Sequence, residues 1–150
     1  MKRPETRMID VSAKQETSRL AIATARIKLN YNTFKLVKEN KVPKGDVLSA
    51  AQTAGIMAAK QTPGLIPLCH PLLLNSVAID FTLISKDASI EIKSTVRGKG
   101  KTGFEMEALT AAAIAALTIY DMCKMLDKGM RITDLYLVKK TGGKSGTYTA

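Results

Sequence analysis

The chain has 150 residues, with 23 Lys and Arg against 13 Asp and Glu for a formal charge of +10; 45% of residues are apolar and 5% aromatic, with two cysteines, one histidine and no tryptophan. That length suits one domain burying about two-thirds of its unfolded surface, and the composition excludes a disordered chain or a fibrous repeat. Cys69 and Cys123 lie far apart outside any CxxC pattern, the apolar run Ala111–Leu117 is much shorter than the ~20 residues of a membrane span, and MKRPETRMIDVSAK lacks the apolar centre of a secretory signal, so a reduced, cytoplasmic protein with no membrane partner is expected.

Residues 1–16 are polar and read as a mobile arm, leaving 17–150 as a single α+β domain. Arg19–Leu29 alternates, with Ala21, Ala23, Ala25, Ile27 and Leu29 on one side, and reads as a strand. A short helix is expected over Tyr31–Glu39, a turn over Val42–Gly45, and then Asp46 as the N-cap of a helix over Val47–Gln61. Ala50, Ala51, Ala54, Gly55, Ala58 and Ala59 let that helix approach a neighbour closely. After the loop TPGLIPLCHP, the runs Val77–Ile84 and Ser89–Arg97 form a hairpin across SKDA. Thr102-Gly-Phe-Glu105 has capping-box spacing and opens a long helix to about Leu126. Arg131–Lys140 alternates as a last strand, and a Gly-rich tail follows. The order β-α-α-β-β-α-β predicts a ferredoxin-like antiparallel sheet with helices on one face.

Apolar residues ring the long helix almost completely, so its polar positions carry information. Glu107, Thr110, Thr118, Asp121, Lys124 and Lys128 fall within an arc of about 120°, with Glu105 opposite. Asp121 and Lys124, three apart, are within reach of each other. Glu107 and Asp121 lie about 21 Å apart along the axis, too far for one compact ligand within a subunit unless a shared interface brings two copies together.

Several motifs can be sorted by their context. Gly98-Lys-Gly-Lys-Thr-Gly103 matches a dinucleotide fingerprint, but its strand belongs to a hairpin, which excludes a Rossmann unit. What remains there is a helix N-terminus with Lys99 and Lys101, suited to phosphate. Gly142-Gly-Lys-Ser-Gly146 lacks the earlier glycine and the following helix of a P-loop, and reads as a mobile tail bearing Lys144. Pro67 and Pro71 stiffen the loop that holds His70, the side chain suited to proton transfer near neutrality. Cys69, His70 and Cys123 make a poor zinc set, and Cys69 has no second histidine to activate it. The positive charge suits phosphates or nucleic acid, but scarce aromatics and the absence of a basic helix argue against nucleic acid. A nucleotide-binding regulatory module would use the same lysines.

Met8–Lys14 (MIDVSAK), Lys44–Val47 (KGDV), Leu65–Leu72 (LIPLCHPL), Gly100–Ala112 (GKTGFEMEALTAA), Ala115–Lys124 (AALTIYDMCK) and Gly142–Gly146 (GGKSG) together resemble the molybdenum cofactor biosynthesis protein C family, the cyclic pyranopterin monophosphate synthases, in collinear order over nearly the whole chain. The resemblance implies a lyase that converts 3′,8-cyclo-7,8-dihydroguanosine triphosphate to cyclic pyranopterin monophosphate and releases pyrophosphate. It also implies a ferredoxin-like catalytic domain and a homohexamer, a trimer of dimers, with sites at the dimer interface. A radical SAM GTP cyclase would supply the substrate. By the same resemblance Asp121, Lys124 and Lys44 are catalytic. Leu68, Cys69, His70, Met106, Glu107 and Lys144 bind substrate. No metal site or resident cofactor is implied, and magnesium would enter only with the triphosphate. Proton shuttling in the ring rearrangement suits His70, Asp121 and a lysine whose pKa neighbouring lysines depress.

Overall fold

The computed structural model describes residues 1–150. Its elements in chain order are β1 (Thr17–Lys28), α1 (Tyr31–Lys38), α2 (Val47–Leu65), β2 (Leu74–Ile84), β3 (Ser89–Gly100), α3 (Glu105–Cys123), β4 (Arg131–Thr141) and β5 (Tyr148–Thr149). The strands form one sheet in the order β2-β3-β1-β4-β5, with every neighbouring pair antiparallel. The first four strands thus follow the expected ferredoxin-like arrangement, and β5 adds a short edge beyond β4.

β1 is central, paired with β3 from Thr17↔Gly100 to Lys28↔Ser89. Its period-two pattern puts Ala21, Ala23, Ala25 and Ile27 on the face beneath the helices, where none has exposed surface. Across the ladder they meet Val96, Ser94, Ile92 and Ile90, and Ser94 Oγ donates to the Ala108 carbonyl of α3. The opposite face carries Arg26, paired with Glu91 at 3.0 Å and Asp87 at 3.8 Å. α3 packs against β1, β3 and α2, and its Ala108, Ala111, Ala112, Ala115 and Ala116 are all fully buried. It is long and apolar enough to cross a bilayer by composition alone, but here it is the core helix.

Element ends depart from expectation where tertiary contacts override local signals. α2 continues past Gln61 to Leu65 through Pro63, because the Thr62 hydroxyl donates to the Ala58 carbonyl and Ile66 N–H donates to the Thr62 carbonyl. The capping box does not form. Phe104 is the N-cap without a side-chain bond, and Glu105 instead reaches Lys140 of β4 at 2.8 Å. α3 ends at Cys123 rather than Leu126, since the N–H groups of Leu126 and Asp127 both close on the Cys123 carbonyl. β2 starts at Leu74 because the β2–β3 ladder continues across a bulge to Leu74↔Gly98. The Gly-rich tail returns to pair Lys139 with Thr149 and Lys140 with Tyr148.

α2 meets the core at Gly55, where an added Cβ would lie 3.1 Å from the Ala111 carbonyl oxygen and 3.1 Å from Ile79 Cγ1. Gly55→Val is therefore expected to cost about 2 kcal/mol or more by overpacking. Gly64, near the end of the same helix, faces nothing within 4 Å. Gly64→Ala is expected to stabilise by about 0.5–1 kcal/mol through helix propensity. Urea midpoints with unchanged m-values check both.

Candidate active site

At the C-terminal end of α3 a carboxylate lies between two ammonium groups. Lys44 precedes α2 on the turn after α1, where Asn40 and Gly45 take left-handed φ values of 55° and 117° and bring the chain back towards α3. Asp46 then caps α2, accepting from Ser49 N–H at 3.0 Å. Lys44 Nζ donates to Asp121 Oδ2 at 3.1 Å and to the Asp121 carbonyl at 3.2 Å, while Lys124 Nζ donates to Oδ1 at 2.8 Å. The helix sets Lys124 one turn beyond Asp121, so the i,i+3 contact is local, whereas the Lys44 contact spans the fold.

The two hydrogen bonds, that from Lys124 foremost and that from Lys44 next, hold the Asp121 carboxyl below its ordinary range. The same bond raises the pKa of Lys124. This corrects the expectation that clustered lysines lower one another. The carboxylate between them stabilises the ammonium form, so the free chain holds Lys124 as an acid.

A second group gathers at the other end of α3. The loop after α2 carries Cys69 and His70 to the first turn of α3, where with Met106 and Glu107 they line a cavity of about 270 Å³. Glu107 is 2% exposed, and burial raises its carboxyl pKa. Cys69 is raised by burial first and by the Glu107 charge second, which keeps it a thiol. His70 Nε2 donates to the Ile9 carbonyl at 2.6 Å, so residues of the N-terminal arm lie against the site. Lys101 Nζ reaches the Ser12 carbonyl at 3.3 Å. Leu68 is 43% exposed and lines none of these cavities. No three His, Cys, Asp or Glu side chains converge where a metal ion would sit, and Cys123 is buried at the far end of α3.

Beyond Thr102 lies a cavity of about 690 Å³ whose wall includes Lys14, Thr17, Arg19, Thr102, Lys140 and Lys144. Lys144 is thus separate from both groups above, and Lys14, Arg19 and Lys140 stand with it although no motif singled them out as site residues. Arg19 Nε donates to the Gly100 carbonyl at 2.9 Å and Nη2 to that of Lys101 at 3.1 Å, fixing the guanidinium across the loop before α3. Gly142 and Gly143, at φ 97° and 79°, fold the Lys144 turn against Arg19, and a Cβ on Gly143 would strike its guanidinium. The glycines of the 98–103 run serve packing. A Cβ at Gly98 would lie 2.6 Å from Phe104 Cζ, and one at Gly103 would collide with the Glu105 carboxylate.

Arg19 was legible in principle, as a charged residue continuing the alternation Ala21, Ala23, Ala25 onto the helix-facing side. Lys140 was not, because ladder irregularities in β4, with Asp134 at φ 54°, break the parity of that strand. Thr102 borders the cationic cavity, the Glu107 cavity and a third of about 460 Å³ that includes His70, Lys99 and Lys101, so the three adjoin. The Asp121 trio stands about 21 Å away along α3.

The MoaC family model matches residues 8–143. The chain is 58% identical over 144 residues to the cyclic pyranopterin monophosphate synthase of Listeria monocytogenes, covering 96% of this chain and 89% of that one. It is 56% identical over 142 residues to the enzyme of that name from Heliobacterium modesticaldum, covering 95% and 89%. A similar protein from Rhodospirillum rubrum, of the same name, is 56% identical over 143 residues, covering 95% and 86%.

Burial of Glu107 has a thermodynamic signature. Its folded pKa is raised above the ordinary 4.5, so the folded chain binds more protons than the unfolded one above that pH. Stability therefore falls as pH rises through the window from 4.5 to the raised value. Glu107→Gln is expected to melt above the parent near neutral pH and to lose that advantage in acid below the unfolded pKa. Melting temperatures across pH test this, and a gap that widens in acid contradicts it.

Proposed function

The chain belongs to the MoaC family, and from that membership we propose that it carries the activity its relatives are named for, the formation of cyclic pyranopterin monophosphate in molybdenum cofactor biosynthesis. It is a lyase that acts on a small nucleotide-derived molecule. The substrate is the cyclised GTP product 3′,8-cyclo-7,8-dihydroguanosine triphosphate, delivered by a radical SAM cyclase, and pyrophosphate leaves as the cyclic phosphate closes. The work is cytoplasmic.

The observation that carries the reading is the pairing of a cationic cavity with a carboxylate–lysine trio. Lys14, Arg19, Lys140 and Lys144 give the triphosphate a set of positive groups where expelled pyrophosphate gathers charge. Asp121, Lys44 and Lys124 supply the proton donor and acceptor that a ring rearrangement requires. Lys124, kept protonated beside Asp121, is the acid, and the Asp121 carboxylate orients it. His70 and Glu107 face the ring end, with Cys69 and Met106 forming the wall. Magnesium would travel with the triphosphate, since Glu105, the carboxylate nearest Lys140, is already engaged by it.

The separation of the two ends calls for more than one subunit. A dimer in which α3 of one copy faces the cavities of the other would join a trio to a cradle, and three such dimers would make the hexamer. Met57 on α2 and Leu117 on α3 are 51% and 52% exposed, apolar surface that a contact between copies would cover.

Incubation with the cyclised triphosphate, following pyrophosphate and pterin together, tests the activity. Asp121→Asn and Lys124→Ala are each expected to lower turnover by at least about 100-fold while leaving secondary structure and assembly intact. Full activity in both would overturn the assignment. Mixing Asp121→Asn chains with Lys140→Ala chains is expected to restore about a quarter of the sites if trio and cradle come from different copies, and no recovery would place each site within one chain.

A further inference from the structure

Two acids are buried in this chain, Glu107 and Asp127. Glu107 lines a cavity, whereas Asp127, 9% exposed, turns to the main chain. Its Oδ2 accepts from Asn30 N–H at 2.6 Å and its Oδ1 from Gly129 N–H at 2.9 Å, and no lysine or arginine pairs with it. A buried carboxylate is costly, and charge-assisted bonds from N–H groups are what offset that cost. The Gly129 bond closes a local turn, while the Asn30 bond joins positions 97 apart in the chain.

Both segments that meet at this carboxylate lead to an ammonium group of the Asp121 trio. α3 ends at Cys123, so Lys124 lies just past its last helical residue, at the start of the turn that Asp127 anchors. Asp127 N–H closes on the Cys123 carbonyl at 3.0 Å, and the Tyr120 hydroxyl donates to the Lys128 carbonyl at 3.2 Å, which ties that turn back to the helix. Asn30 is the N-cap of α1, its side chain accepting from Thr33 N–H at 2.8 Å. Phe34 and Val37 seat α1 in the core, and the turn beyond its far end brings Lys44 to Asp121.

We infer that Asp127 is a positioning residue for the trio, holding the turn after α3 against the head of α1 so that Lys44 and Lys124 converge on Asp121. For turnover this rests on the reading of the trio as the proton-transfer group; the convergence itself is geometric. Asp127 touches none of the three side chains. Loosening it lets the ammonium groups drift from the carboxylate, and a misplacement of about 1 Å is enough to cost roughly a hundredfold in rate. The cationic cavity, at the other end of α3, keeps its hold on phosphate.

Asp127→Ala and Asp127→Asn test this, the second keeping the side-chain shape and one acceptor oxygen. In turnover of the cyclised triphosphate, kcat is expected to fall roughly ten- to a hundredfold in Asp127→Ala and less in Asp127→Asn, with KM and the binding of inorganic pyrophosphate within about twofold of the parent. Independently of activity, NMR titration of lysines labelled at Cε reads the hydrogen bond to Asp121 that raises Lys124 above the ordinary 10.5, its signal assigned from Lys124→Arg. That titration is expected to move towards 10.5 in both variants. An unmoved Lys124 titration in the folded variants overturns the inference whatever kcat does, by assigning the carboxylate to the fold alone. Parallel loss of kcat and pyrophosphate binding overturns it too, since that marks a general loosening, and so does failure of Asp127→Asn to fold. If the titration moves while kcat holds, or while the native protein does not turn over, the reading of the trio as catalytic fails and the positioning stands.

Discussion

Ala21, Ala23 and Ala25 on β1 and Ala108, Ala111, Ala112, Ala115 and Ala116 on α3 have no exposed surface, and both ends of the site depend on the close contact they make. Side chains this small bring a helix down onto a sheet with little to interlock, so the larger groups at the margins, Ile27, Ile90, Ile92, Phe104 and Ile119, hold the register. Each contributes about 1.5–3 kcal/mol by burial. A closely seated α3 fixes Glu107 under the 66–73 loop at one end and Asp121 beside Lys44 at the other. Widening the contact would shift both ends together, because the interior is packed as densely as a crystal.

The charge of +10 is distributed with economy. The few acids near the site are set against particular bases, Asp121 against Lys44 and Lys124, and Glu105 against Lys140. Arg19 is held instead by main-chain carbonyls, which orient it without cancelling its charge. The result is a cavity that stays positive while its strongest donor is fixed. An arriving anion meets a preformed field and little reorganisation. Glu107 is the opposite case, an acid kept from water with no base beside it, and the fold bears the cost of that burial at neutral pH.

Local signals identified the elements well and their ends less well. The alternation of β1 and the small residues of α2 and α3 were plain in the sequence, because periodicity reflects which face is buried. The ends were set by contacts across the fold: Glu105 leaves its own helix for Lys140, and the Thr62 hydroxyl carries α2 through Pro63. The candidate site followed the same division. The resemblance to the family named Asp121, Lys124, Lys44, His70 and Glu107, and the structure gathers these into two groups. Lys14 belongs to the MIDVSAK motif and Arg19 to the alternation of β1, but neither pattern marks a cation site, and no local signal marks Lys140. They meet only when β1, β4 and the arm come together.

The sequence by itself determined the alternation that makes β1 central, the helix-forming runs, the i,i+3 pairing of Asp121 with Lys124, and membership of a family whose motifs are collinear with this chain. Each is a short-range property, fixed by spacing or by residue identity. Tertiary structure alone decided that Lys44, seventy-seven positions from Asp121, would bond the same carboxylate, and that Gly98 would make room for Phe104. These depend on which elements lie side by side, and chain order specifies that only through the packing of the whole fold.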